Sequence, residues 1–392
     1  MSQSTFQKKK VRQGEQARKL GNRSKWLPIT HWSESANDLR SVSTYQFRPS
    51  ARNILLLLRS QVILFNSRKK WGLLFALATI SGMFCLPAAV DQIQNGKAAF
   101  FDNGLNTLIN LGLPLSTLLI ITGMYILNDL FDADLDRING KTNRPIPSGR
   151  VSKRQAVVFV ISMNVIGLSV PIFSDNTLGI MLASTIALIG IMYSLPKISL
   201  KDKFVIKTCA IAIAMTCSLL LGASIHLGKG FGSEIAGTLS WIGFQAEVGL
   251  FLYPLFAGIM LALMVFVTSP LNDLGDIKGD KEAGRKTIPI VLGKKNTIWL
   301  SMLITIAIAL SSWMFYAIWT PGIANDSIQT ISRYAIGLPL LISGICTLVV
   351  FHLIAVFNRI EDQNYIRQSV GKKSMPLHLL LQLSLVVGCF LL

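Results

Sequence analysis

Nine stretches of roughly twenty apolar residues limit what this 392-residue chain can fold into. They lie at 71–90, 105–127, 156–173, 177–195, 204–227, 248–268, 297–319, 334–357 and 377–392. In a bilayer each matches one helical crossing, and a helix closes its own backbone hydrogen bonds where no water is available. The chain is 15% charged, with a mean hydropathy of +0.50, whereas soluble domains carry about a quarter charged residues. A water-soluble globule and a disordered chain are both excluded. The expected fold is all-α: a polytopic membrane protein. A further apolar segment at 52–65, interrupted by Arg59, reads either as an interfacial helix or as the start of the first span.

Charge orients the spans. Of 38 Lys and Arg, 35 fall before the first span or in alternate connections, leaving Lys97, Lys229 and Arg333 for the other side. The positive-inside rule then predicts a cytoplasmic N-terminus and an external C-terminus. Residues 1–50 are polar and basic, with no apolar core of a cleavable signal. They are expected to form a disordered cytoplasmic extension, drawn to anionic lipid by about 1 kcal/mol per basic residue, ahead of a transmembrane domain at 51–392. Nothing in them has the aromatic interleaving of a nucleic-acid module. The five cysteines are scattered through apolar sequence without a CxxC pair, which argues against both a disulfide framework and a zinc site.

One motif occurs twice. Asn128-Asp129-Leu130-Phe131-Asp132-Ala133-Asp134-Leu135-Asp136 follows the second span, and Asn272-Asp273-Leu274-Gly275-Asp276-Ile277-Lys278-Gly279-Asp280 follows the sixth. Both read NDLxDxxxD. At i, i+4 and i+8, Asn128, Asp132 and Asp136 share one helix face, as do Asn272, Asp276 and Asp280, with Asp129 and Asp273 on the flank. Stacked carboxylates repel, and a helix C-terminus disfavours negative charge, so a cation is required. Pairing with Arg137, Lys141, Lys278 and Arg285 on a solvated rim is the plainer answer, but it does not call for two matching patterns. Mg²⁺, which takes one or two carboxylates and completes its shell with water and phosphate oxygens, answers both the acids and the basic loops beside them. Those loops are Arg144-Pro145-Ile146-Pro147-Ser148-Gly149-Arg150, Arg285-Lys286-Thr287-Ile288-Pro289, and Tyr193-Ser194-Leu195-Pro196-Lys197 with Lys201 and Lys203 behind it. Arginine forks suit phosphate oxygens.

The residues 128–152 (NDLFDADLDRINGKTNRPIPSGRVS) and 273–293 (DLGDIKGDKEAGRKTIPIVLG) resemble the two signatures of the UbiA superfamily of intramembrane prenyltransferases, and YSLPK at 193–197 is similar to a third, weaker one. The resemblance implies nine helices around a central cavity with a cytoplasmic cap, and Mg²⁺-assisted transfer of a polyprenyl group from its diphosphate. It assigns metal binding to Asn128, Asp129, Asp132, Asp136, Asp273, Asp276 and Asp280, with Asp132, Asp136, Asp276 and Asp280 carrying the catalysis. It assigns diphosphate contacts to Asn128, Arg144, Lys201 or Lys197, and Arg59. The loops most resemble members acting on geranylgeranylglyceryl phosphate or chlorophyllide, followed by quinone-ring acceptors; the expected acceptor is of the lipid or quinone kind. A CDP-alcohol phosphotransferase would need a DGxxAR segment that is missing, and a cation transporter would place its acids near the bilayer midplane.

Overall fold

The computed structural model describes residues 51–85, 111–138, 143–227, 241–319, 336–366 and 370–391; among them the chain is helical, without a strand. The described residues contain nine long helices: α1 (Ala51–Phe84), α2 (Leu113–Phe131), α3 (Lys153–Phe173), α4 (Thr177–Ser194), α5 (Ile206–Leu227), α6 (Trp241–Leu274), α7 (Lys294–Trp319), α8 (Gly337–Asn358) and α9 (Gly371–Leu391). Each apolar stretch of the sequence falls on one of them. By length and composition, α2 to α8 are able to cross a membrane. The flanking α1 and α9 carry Arg68-Lys69-Lys70 and Lys372-Lys373 and are less apolar.

The segment at 52–65 is continuous with the first span. Together they make the 34-residue α1, about 51 Å long at 1.5 Å per residue, which exceeds a bilayer core. The expected end of the first span, the start of the second, the extension at 1–50 and Lys97, Lys141, Lys229 and Arg333 lie outside the described residues. Packing divides the chain between Leu56 and Leu57, and the site described below lies wholly within Leu57–Leu392.

Neighbouring helices pack in sequence: α2 on α3, α4 on α5, α5 on α6, α6 on α7, α7 on α8 and α8 on α9, with α6 also meeting α9. Small residues let some backbones touch. A Cβ added at Gly222 of α5 would sit 1.8 Å from the carbonyl oxygen of Thr79 in α1, and one at Gly82 would sit 1.8 Å from that of Leu219. Hydroxyl and amide groups then clip helices across apolar surroundings, as membrane bundles require. Ser116 donates to Gly167 O at 2.6 Å, Asn176 to Ser224 Oγ at 2.8 Å, and Tyr253 OH to Leu385 O at 2.7 Å. Gln382 of α9 donates to Leu74 O of α1 at 3.2 Å, bringing the last helix against the first. Apolar side chains such as Leu303, Met314 and Phe351 face outward, the arrangement expected where the surrounding solvent is hydrocarbon.

Candidate active site

Both acidic motifs break their helix in the middle. In the first, α2 ends at Phe131, Asp132 forms the junction, and a short helix continues at Ala133–Ile138. In the second, α6 ends at Leu274 and a short helix resumes at Ile277–Glu282 with Asp276 as its N-cap. The expected straight stripes are therefore bent. The helical spacing survives the first bend, where Asp132 N bonds Asn128 O at 2.9 Å and Asp136 N bonds Asp132 O at 2.8 Å, whereas at the second bend Asp276 N turns to Asp273 O at 3.0 Å and the spacing resumes with Asp280 N on Asp276 O at 2.9 Å.

The loop carrying Arg144 is anchored from below. Ile146 and Val151 are buried with Leu64, Ile126, Ala133, Ala156 and Phe159, and the turn closes through Ser148 N to Arg144 O at 3.1 Å and Gly149 N to Ile146 O at 3.0 Å. Gly149 has φ of 76°, a left-handed conformation that glycine adopts without a Cβ penalty. A capping box between Ser152 and Gln155 then starts α3. The loop between α4 and α5 is similarly folded on itself. Ser199 takes φ of 38° and its hydroxyl meets Asp202, so a single 3₁₀ turn at Leu200–Asp202 drives Lys201 inward.

These loops bring cations onto the acids. Arg68 of α1 clasps Asp129 with both arms of its fork, Nε lying 2.6 Å from Oδ2 and Nη2 bonding Oδ1. Arg144 reaches Asp129 at 3.2 Å and also bonds Asp136. Lys201, buried, donates to Asn128 Oδ1 at 3.0 Å and Asp132 Oδ1 at 2.8 Å. Lys207 bonds Asp273. Arg285 joins the two motifs: its guanidinium is 2.8 Å from Asp132, 3.3 Å from Asp280 and 2.9 Å from Asp202. Lys286 N, bonded to Asp202 O at 3.0 Å, holds that arginine's loop against the 3₁₀ turn.

Charge states follow from this geometry. Burial pushes the Asp132 carboxyl up, but Lys201 and Arg285 outweigh burial and hold it below its ordinary value. At Asp280 burial wins, helped by the Asp276 charge and opposed by Lys207 and Arg285, so its carboxyl titrates above the usual range. Burial disfavours the Arg285 cation, yet Asp132, Asp202 and Asp280 together keep it charged beyond the ordinary arginine value.

An apolar cavity opens beside the first motif. It is lined by Asn128 and Tyr193 and, deeper along the helices, by residues such as Phe75, Met124, Ile186 and Ala214. Its empty space, open mouth included, is about 490 Å³. Tyr125, another lining residue, stacks on Trp71 with ring centroids 5.6 Å apart. The buried hydroxyls of Ser194, next to Tyr193, and Thr287, two residues beyond Arg285, have no partner among the described residues.

Of the expected site residues, Asp129, Asp136 and Arg144 form one set of polar contacts together with Arg68, and Asn128, Asp132 and Lys201 form a second, which Arg285 ties to Asp280. Asp273 lies on Lys207, and Asp276 is exposed at the head of its short helix. Lys197 is exposed, whereas Lys201 is the lysine that reaches the acids. Arg59 is also exposed, about 13 Å along α1 from Arg68; the arginine of α1 in the network is Arg68. Arg68 and Lys207 escaped sequence reasoning because the positive-inside rule already accounts for a cation at a helix end. The lone signal was that each sits beside an apolar run on the same end as the motifs.

Among the described residues no three carboxylates are gathered tightly enough to cage an ion. The donor set still fits a hard cation that shares its shell with phosphate: carboxylate oxygens of both motifs meet around one guanidinium, with Lys201, Arg144 and two unpartnered hydroxyls nearby.

Comparison with known proteins identifies the fold and the family. A digeranylgeranylglyceryl phosphate synthase of Methanoregula boonei is 30% identical over 245 residues, covering 61% of this chain and 78% of the relative. A solved digeranylgeranylglyceryl phosphate synthase superposes with a TM-score of 0.54 at 19% identity, covering 86% of this chain and 99% of the other. A UbiA homologue from Archaeoglobus fulgidus, determined with GPP and Mg²⁺, superposes with a TM-score of 0.50 at 16% identity, covering 84% and 99%; both likenesses concern the fold. The model of the UbiA prenyltransferase family matches residues 96–325, more than half of the sequence, and the chain belongs to that family of intramembrane prenyltransferases.

Proposed function

We propose that this enzyme moves a polyprenyl group from its diphosphate to a hydroxyl of a glycerophosphate lipid of the geranylgeranylglyceryl phosphate kind. The observation that supports the site assignment is the Arg285 bridge between Asp132 and Asp280, which ties the second acidic motif to the first, whose Asn128 lines the apolar cavity. The name borne by the Methanoregula boonei relative supports the acceptor.

In this reading the diphosphate sits among Lys201, Arg144 and Arg285, and the prenyl tail runs into the cavity past Tyr193 and Met124. Asp132, Asp136, Asp276 and Asp280 would hold Mg²⁺, which would supply further positive charge against the leaving diphosphate. Lys201 and Arg285 are already fixed by Asp132, so their charge needs little reorganisation as the allylic C–O bond breaks. Tyr125 and Tyr193 offer ring faces to the allylic cation, and the apolar walls exclude water that would capture it. Asp129, clasped by Arg68 and Arg144, acts by positioning Arg144. All nine long helices cross the bilayer, with the N-terminus cytoplasmic and the site opening to the cytoplasm, because 35 of 38 basic residues then lie on that side.

The test is purified protein with radiolabelled geranylgeranyl diphosphate, Mg²⁺ or EDTA, and a panel of lipid, quinone-ring and chlorophyllide acceptors. Chelator-sensitive incorporation into geranylgeranylglyceryl phosphate is expected, abolished in Asp132→Ala and Asp276→Ala at saturating Mg²⁺. Undiminished transfer by either variant would refute the ligand assignment, and preference for an aromatic acceptor would refute the lipid one.

A further inference from the structure

The last helix carries a second polar feature that the diphosphate site does not use. Ser374, His378 and Gln382 stand at i, i+4 and i+8 on α9, and each is about 2% exposed. Together they form one inward-facing stripe. Gln382 spends its amide on Leu74 O at 3.2 Å and lies 3.9 Å from Met215 Sδ. Its carbonyl oxygen, and Nε2 of His378, have no partner among the described residues. Buried polar atoms are nearly always hydrogen-bonded, and two orphans one helical turn apart on one face point to a ligand.

Their depth is fixed by the helices they touch. Leu74 is six residues beyond Arg68 on α1, and Met215 is eight beyond Lys207 on α5; at 1.5 Å per residue Gln382 lies about 9–12 Å further into the bundle than those two cations. Lys294 at the start of α7 lies within 3.5 Å of Ile360 O just past α8, so α9 starts from the motif end as well. His378 is one turn nearer that end than Gln382, hence about 3–6 Å past the cation level. Leu74 and Met215 are also direct sequence neighbours of the cavity-wall residues Phe75 and Ala214.

A carbonyl oxygen accepts hydrogen bonds only, and the vacant His378 nitrogen accepts in the neutral tautomer that carries its proton on Nδ1. The missing ligand is therefore a donor, and the chemistry that fits is a hydroxyl. We propose that His378 and Gln382 form the subsite for the acceptor hydroxyl, with His378 taking its proton. The inference rests on the reading above that the acceptor is an alcohol. In the step, the prenyl C1–O bond breaks and its electron pair leaves with diphosphate. The acceptor oxygen forms the new C1–O ether bond, and its proton passes to His378 Nε2, from which water later removes it.

The experiment uses the full-length protein in lipid nanodiscs, geranylgeranyl diphosphate with Mg²⁺, and geranylgeranylglyceryl phosphate as acceptor. His378→Gln keeps a polar side chain of similar reach. It is expected to lower kcat about 100-fold, the scale of a lost general base, while leaving the KM for geranylgeranyl diphosphate within twofold. Gln382→Leu is expected to raise the acceptor KM about tenfold at unchanged diphosphate KM. Variants that keep wild-type kcat and acceptor KM would overturn the proposal and make the pair a packing feature. A parallel rise in both substrates' KM values would likewise overturn it, as the mark of general misfolding. If the wild type transfers to no alcohol at all, the reading of the acceptor fails instead, and the two failures are told apart by that control.

Discussion

The two acidic motifs share a sequence pattern and differ in how much positive charge the fold gives them. Around the first, Arg68 and Arg144 hold Asp129, Arg144 holds Asp136, and Lys201 and Arg285 converge on Asp132. Around the second, Lys207 holds Asp273, and the Arg285 that reaches Asp280 is shared with the first. The consequence is visible in the carboxyls: Asp132 is held below its ordinary value and Asp280 lifted above it. The first motif is prearranged with its counter-charges, whereas the second has capacity to take up an added cation. Near-repeats of sequence have been given complementary electrostatic roles by loops elsewhere in the chain.

The largest effect should come from removing what the motifs share. Arg285→Gln is expected to lower prenyl transfer by about 10²–10³, the scale of one preorganised charge-stabilising donor, and to raise the Mg²⁺ concentration needed for half-activity. Lys207→Gln, confined to one motif, should cost less; a reversed order would break the comparison. Next comes Arg68→Met. It leaves Asp129, which is 2% exposed at its side chain, with Arg144 alone at 3.2 Å, and is expected to destabilise the protein by about 1.5–3 kcal/mol, the scale of a lost charged hydrogen bond, read as a loss of thermal stability in detergent. Adding Asp129→Leu should recover most of that loss, because a matched apolar pair leaves no buried charge.

pH gives a subtler test. For Asp132 the lowered value means that its ionised form is favoured by folding: its stabilisation is present above the ordinary carboxylate value and is lost as pH falls through the depressed one. Asp280 has the opposite sign. Its protonated form is favoured, that contribution is lost as pH rises through the raised value, and a proton there competes with Mg²⁺. The Mg²⁺ requirement should therefore rise as pH drops, with Asp280→Asn flattening that dependence and Lys201→Gln leaving its slope in place. The smallest effects belong to Arg59→Gln and Lys197→Gln, both exposed, each expected to keep kcat within about twofold in the same assay, a change too small to reflect a lost transition-state charge.

Much of this was legible in the sequence. Among the described residues each apolar stretch falls on a long helix, seven of them long and apolar enough to cross a membrane, and the paired NDLxDxxxD patterns mark acids that Arg285 joins, since helix length and acid spacing are local properties of the sequence. The bends at Asp132 and Gly275–Asp276 were not legible, because helical period alone does not tell where packing interrupts a helix. Nor was the choice of Lys201 over Lys197: it depends on the 3₁₀ turn set by Ser199 and Asp202. Arg68 and Lys207 were hidden for a different reason. Their partners are more than sixty residues away in sequence, and only tertiary contact distinguishes a cation that neutralises a buried acid from one that merely faces solvent. The stripe of His378 and Gln382 likewise looks like ordinary helix until its neighbours are known.

The central claim is that both motifs serve one metal–diphosphate site. Its most direct test is Mn²⁺ binding, followed by electron paramagnetic resonance, in the presence of a non-cleavable prenyl thiodiphosphate. The account predicts that the wild type binds Mn²⁺ together with the analogue, and that Asp132→Asn and Asp276→Asn each abolish that binding alone. Undiminished Mn²⁺ binding in either single variant would contradict it, because one motif would then suffice to hold the metal.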